Sequence, residues 1–146
     1  MVLRAVAVTD LDALTAVFTT CFNQPPWNDG WSEDAARERL EDLLSARHSR
    51  GAVAEVDSKV VGFLLGQKER WIHAHHFNLI ELCVLPEHQR HGIGRGLVQH
   101  MIEALRRERC ERISLITAPN SAAASFYEAL GFYTSRSRAM MGYVIR

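Results

Sequence analysis

The sequence predicts an α/β (α+β) protein: one domain over residues 1–146, with a mixed, mostly antiparallel sheet of six or seven strands packed with helices. Three observations predict it. Leu79 to Leu85 is an apolar run broken by Glu81 alone, closed by Pro86, and followed by a glycine-rich turn and an amphipathic helix pattern. A strand pattern after that helix, Arg112 to Thr117, makes the two strands parallel, because strand, helix and strand in one sheet join by a right-handed crossover. Ala52–Val56 and Val60–Gln67 flank the polar turn Asp57-Ser58-Lys59 and read as an antiparallel hairpin.

The elements follow in order. Leu3 to Val8 is small and β-branched, a first strand, and Thr9 or Asp10 can cap what comes next. Leu11, Leu14, Val17, Phe18, Cys21 and Phe22 recur at helical spacing and predict one buried face. Asn23 to Gly30, with paired prolines and an Asp-Gly, stops that helix. Ser32 caps a second, with Glu33 and Asp34 in the first turn, where the dipole favours acids, and Ala35, Ala36, Leu40, Leu43 and Leu44 facing inward. It fades over Arg47 to Gly51. The second hairpin arm, VVGFLLG, is apolar on both faces and therefore central to the sheet. Lys68 to Phe77 reads either as more strand or as a loop. After the glycine turn, Leu97, Val98, Met101, Ile102 and Leu105 form a helical stripe. Pro119-Asn120-Ser121 opens a helix over Ala122 to Leu130, ended by Gly131, and Tyr133–Ser135 and Ala139–Ile145 are candidate closing strands.

Bulk properties exclude several classes. A chain of 146 residues buries roughly 70% of its unfolded surface and needs neither disulfide nor metal to fold. Seventeen basic residues against seventeen acidic argue against nucleic acid or an anionic membrane as partner. Cys21, Cys83 and Cys110 are odd in number and widely spaced, as expected of reduced thiols. No run approaches a membrane span and the first residues lack a signal-peptide core, so the expected location is cytoplasmic.

The glycine turn marks an anion site, because the first turn of a helix presents unpaired N–H groups and the positive end of its dipole. A dinucleotide fold wants GxGxxG near the start of the domain and an acid about 20 residues on. Here Gly92, Gly94 and Gly96 lie deep in the chain and Arg112 occupies the later position. A P-loop lysine with Ser or Thr is absent. The turn Gln89-Arg90-His91-Gly92-Ile93-Gly94 instead resembles the Q/R-x-x-G-x-G/A signature of the GNAT superfamily of N-acetyltransferases, and Asn120 to Phe132 is similar to its N-x-x-A-x-x-F-Y-x-x-x-G-F motif. The two together, in order, make the resemblance specific. It implies a GNAT-like sheet with helices on both faces, splayed between two central parallel strands at the junction after Val84, and acetyl-CoA as cosubstrate.

The resemblance implies roles as well. Gln89, Arg90, His91, Gly92, Ile93, Gly94 and Arg95 would surround the pyrophosphate, the backbone of Cys83 and Val84 would pair with pantetheine, and Asn120 would bond the same arm or simply cap its helix. Tyr127 would protonate the departing thiolate. Glu81 interrupts an apolar strand, where a lone carboxylate is costly, and is either the general base or one half of a structural pair. The side chain of Cys83 reads as a core thiol, since nothing identifies a base for it. The cluster His73, His75 and His76 has no second ligand group, so no metal is expected. Trp27, Asp29 and Trp31, with Trp71, are candidate walls for a cationic amine acceptor, a small molecule or a peptide. Homodimers are common in the family, and Met140 to Ile145 would serve either a dimer or an internal strand. The expected activity is acetyl transfer to a primary amine by direct attack. The alternative is a CoA- or acyl-CoA-binding sensor or interaction module without catalysis.

Overall fold

The computed structural model describes the whole chain as two compact units, Met1–Ser114 and Leu115–Arg146. In the first, five strands lie side by side in sequence order: β1 (Val2–Ala5), β2 (Ser49–Val56), β3 (Lys59–Arg70), β4 (His75–Val84) and β5 (Cys110–Ser114). The first three junctions are antiparallel and β4–β5 is parallel. The apolar β3 is central, as its two-sided hydrophobicity predicts. Asp57 and Ser58 both take positive φ, which suits the right-handed twist of the β2–β3 hairpin. Lys68 to Phe77 is neither one strand nor a loop, because it supplies the end of β3, a turn, and the start of β4.

Helices α1 (Leu11–Phe22) and α2 (Glu33–Ser45) cover one face of the sheet. Leu14, Val17, Phe18 and Cys21 of α1 and Ala36 and Leu40 of α2 pack with Val53, Phe63, Leu65 and Cys83. Ser32 caps α2, its Oγ accepting from the Ala35 N–H at 3.1 Å, while Ala35 itself faces outward. The opposite face takes α3 (Ile93–Arg107), with Ile93, Leu97, Val98, Met101 and Leu105 buried. Asp10, at the entry to α1, is buried under a guanidinium fork from Arg4 at 2.8 and 2.9 Å.

Along β3 and β4 the register places Leu65 opposite Glu81 and Gly66 opposite Leu79, so Ile80 is the extra residue of a bulge. Phe77 and Leu79 therefore share the face of Lys68 and Gly66, whereas Glu81 and Cys83 share that of Leu65 and Phe63. The ladder to β5 ends at Asn78–Ser114, immediately before this bulge. The parallel strands therefore part after Asn78, well ahead of the expected Val84, because a bulge bends the strand that carries it.

In the second unit, α4 (Ala122–Ala129) is capped by Ser121, whose Oγ accepts from the Ala124 N–H at 3.1 Å, and is followed by Gly131 at φ +95°. Asn120 is therefore not the cap; it lies one residue earlier at φ +56°. Tyr133–Ser135 and Ala139–Ile145 are not strands, so the sheet has five strands rather than six or seven and β5 is an edge rather than a central strand. Apolar, β-branched composition sets a propensity, but a strand exists only where a neighbour completes its hydrogen bonds. No helix is long and apolar enough to cross a membrane.

Candidate active site

The bulge directs Glu81 to the α1/α2 side, where it is 7% exposed. A buried carboxylate needs a compensating partner, and α2 supplies one. The Arg39 Nε donates to Oε1 at 2.8 Å, and a terminal guanidinium nitrogen lies in ion-pair contact with the same oxygen at 2.7 Å. Burial pushes the Glu81 carboxyl above its ordinary range, Arg39 pulls it back, and the charge of Asp29 pushes it up again.

Arg39 is tied to the loop between α1 and α2. Its guanidinium carbon lies 5.7 Å from the centroid of the Trp31 ring, a cation–π distance. Trp31 is held at both backbone groups by the Asn23 side chain, at 2.7 and 2.9 Å, and its Nε1 donates to Asp29 Oδ2 at 3.1 Å. Its ring meets Phe18 edge-on at 5.2 Å. Asp29, Gly30, Trp31, Ser32 and Ala35 line a shallow cleft of about 460 Å³. Asp29 and Trp31, expected as acceptor walls, thus join Glu81 through Arg39. Trp27 packs on Phe22 in the same loop and stays half exposed. Trp71 belongs elsewhere: it stacks at 4.5 Å on His76, whose Nε2 is 3.1 Å from Glu111, at the β3–β4 turn.

Sequence reasoning did not single out Arg39. The available signal was the buried carboxylate itself, which demands a cation, combined with the position of Arg39 between Ala36 and Leu40 on the inward side of α2.

The glycine turn follows the C-terminal end of β4, the end nearer Glu81. Gly92 precedes α3 at φ +80°, with nothing within 4 Å of where a Cβ would be, and Arg90 is also left-handed at φ +64°. The first intrahelical bond there runs from the Gly96 N–H to the Gly92 carbonyl at 2.9 Å, so the N–H groups of Ile93, Gly94 and Arg95 have no partner in the helix. Arg90, His91 and Arg95 are exposed around them, with Arg95 in the first turn. The Ile93 side chain is buried and contributes packing. The Gln89 Nε2 donates at 2.9 Å to the Val84 carbonyl, which also accepts from the Cys21 thiol at 3.3 Å.

Backbone direction distinguishes the two residues expected to meet pantetheine. The Leu85 N–H donates to Val61 on β3 at 2.8 Å. Directions alternate along an antiparallel strand, so Cys83 also faces β3, while the N–H groups of Leu82 and Val84 point to the opposite edge. Cys83 is a core residue whose thiol burial pushes well above its usual range. Asn120 and Tyr127 belong to the second unit. There the Tyr127 ring lies 5.1 Å from Phe126 and 5.3 Å from Phe132, and its carbonyl accepts from the Phe132 N–H at 3.1 Å.

The model of the acetyltransferase (GNAT) family matches residues 11–132. The UPF0157 protein YqkA of Bacillus subtilis is 33% identical over 99 residues, covering 67% of this chain and 27% of that protein. The (ribosomal protein bS18)-alanine N-acetyltransferase of Escherichia coli (strain K12) is 40% identical over 55 residues, 37% of each chain. The chain thus spans well under half the length of these relatives. The crystal structure of a probable acetyltransferase superposes over 100% of this chain and 99% of its own, with TM-score 0.84 at 20% identity. Aminoglycoside N-acetyltransferase AAC(6')-Iy in complex with CoA does so over 99% of this chain and 94% of its own, with TM-score 0.79 at 20% identity. Both show the same fold.

Proposed function

Because the chain belongs to the acetyltransferase (GNAT) family, we propose that it transfers an acetyl group from acetyl-CoA to a primary amine by direct attack, within a single domain over residues 1–146. One strand carries the reading. Strand β4 holds a buried carboxylate at Glu81 and leads directly to a helix start whose unpaired N–H groups suit a phosphate.

The residues present fit acetyl-CoA. Gly92 is left-handed with open space where a Cβ would stand, and three N–H groups follow it without helical partners. The pyrophosphate would be held by the backbone from Gly92 to Arg95, with Gln89, Arg90 and His91 beside it. The edge of β4 away from β3, at Leu82 and Val84, would bond the pantetheine arm, aided by Asn120. Acetyl-CoA supplies the activated acyl thioester. Amines are protonated near neutral pH, so a base must expose the nitrogen lone pair, and Glu81 serves because burial makes its carboxylate a better proton acceptor than an exposed one. Tyr127 would return a proton to the departing thiolate.

The acceptor is a cationic amine meeting Asp29 and Trp31, whose acid and ring suit a cation. Relatives are named for such groups: an alanine of ribosomal protein bS18, and the α-amines of N-alpha-acetyltransferase 30 from Saccharomyces cerevisiae, 38% identical over 65 residues. The test is release of CoA thiol from acetyl-CoA over polyamines, amino acids, aminoglycosides and N-terminal peptides. Turnover with at least one amine is expected. Silence across the panel despite calorimetric acetyl-CoA binding would overturn the enzyme in favour of a sensor.

A further inference from the structure

Arg39 bonds Glu81 in an unusual way. A guanidinium fork matches the two oxygens of a carboxylate, yet here both nitrogens converge on Oε1, at 2.8 and 2.7 Å. The fork is set from three directions. Its helix is anchored by the fully buried Ala36 and Leu40, its face lies over Trp31, and Trp31 is clamped by Asn23 at the end of α1 and by Asp29. The other charged or titratable groups near Glu81 are Asp29 from the loop and the Cys83 thiol of β4, with Cys21 of α1 against Cys83. Strand β3 contributes only the apolar Leu65 opposite.

We propose that Arg39 is a positioning residue for acetyl transfer: by gripping Oε1 alone it orients the Glu81 carboxylate so that Oε2 accepts the proton of the acceptor amine. The inference rests on the reading of Glu81 as the base. The proton moves from the amine nitrogen to Oε2, and the Arg39 charge, one bond away on Oε1, keeps the group ionised until then. The grip also couples the cleft to the base, since Trp31 and Asp29 set where the guanidinium lies.

The test has two arms on the full chain. In the first, the Glu81 carboxyl is titrated by carbon NMR with labelled glutamate, its signal assigned by loss in Glu81→Gln. Arg39→Met is expected to move that titration to higher pH, because a lowering influence is removed while burial remains; an unmoved titration overturns the inference whether or not any amine is turned over. In the second, CoA-thiol release is followed with the fastest amine of the panel. The acid limb of kcat/KM should move up in Arg39→Met and kcat should fall roughly 10- to 100-fold through misorientation, with the KM for acetyl-CoA held. Arg39→Lys, which keeps the charge without the fork and guards against an unfolded Met variant, should hold the acid limb yet remain slow. An inactive Glu81→Gln beside an Arg39→Met of parental pH profile would overturn the positioning role alone. A fully active Glu81→Gln would overturn the base, and this inference with it.

Discussion

Glu81 lies opposite Leu65 across the β3–β4 ladder, while Leu79, two residues earlier, lies opposite the adjacent Gly66. Ile80 is the residue without a counterpart; because the bulge absorbs it, Leu79 and Glu81, two positions apart, face opposite sides of the sheet, and Glu81 comes within reach of Arg39. Removing Ile80 would regularise the ladder without changing either pairing. The deletion variant is therefore expected to unfold cooperatively by circular dichroism and to retain the Arg39 contact; a variant that does not fold would make the bulge itself a requirement of the sheet.

Gly66 tests the same ladder sterically. A Cβ there would run into the carbonyl oxygen of Asn78 and the ring of Phe77, and a backbone oxygen cannot step aside. Gly66→Ala should cost about 3 kcal/mol by chemical denaturation, the upper range for overpacking. Gly30→Ala, with open space and only its φ of +74° against it, should cost about 1–2 kcal/mol.

Gly92 separates cofactor binding from stability. Its Cβ position meets nothing within 4 Å, so Gly92→Val strains the left-handed backbone without a clash inside the protein. A small fall in Tm with loss of acetyl-CoA binding by calorimetry is expected. Parental affinity would remove the turn from the phosphate site.

Asp10 carries a pH signature. The Arg4 fork beside it holds its carboxyl below the ordinary range. An acid depressed in the folded state stabilises above its unfolded pKa, and that contribution disappears as pH falls through the folded value. Arg4→Met should therefore lose about 1–3 kcal/mol at neutral pH by leaving Asp10 buried without a counter-ion, held only by the Ala7 N–H. The gap to the parent protein should close as pH falls below about 3.9. A gap that is constant with pH would show that packing, not charge, is what Arg4 contributes.

Tyr127→Phe removes one hydroxyl from α4. If that hydroxyl protonates the thiolate, turnover should drop far more than acetyl-CoA affinity, since the proton is needed only as the C–S bond breaks. Equal turnover in stopped assays of CoA release would take Tyr127 out of the mechanism.

Much of this was legible in the chain alone, and what was legible was local. The stripe Leu14, Val17, Phe18 and Cys21, the cap at Ser32, the Asp57-Ser58 turn and the left-handed Gly92 each follow from residues within one or two turns of themselves, where spacing and backbone preference act directly. The two motifs, Gln89 to Gly94 and Asn120 to Phe132, pointed to the family for the same reason, being contiguous.

What only the tertiary structure decided depends on partners distant in sequence. Met140 to Ile145 has the composition of a strand but pairs with none, because pairing is a property of an edge and a register. The face that Glu81 presents was set by its pairing with Leu65 on β3, which a bulge at Ile80 permits, and its cation by a residue 42 positions away. Composition announced that a buried carboxylate would need a charge; the packing of α2 and Trp31 against the sheet chose Arg39.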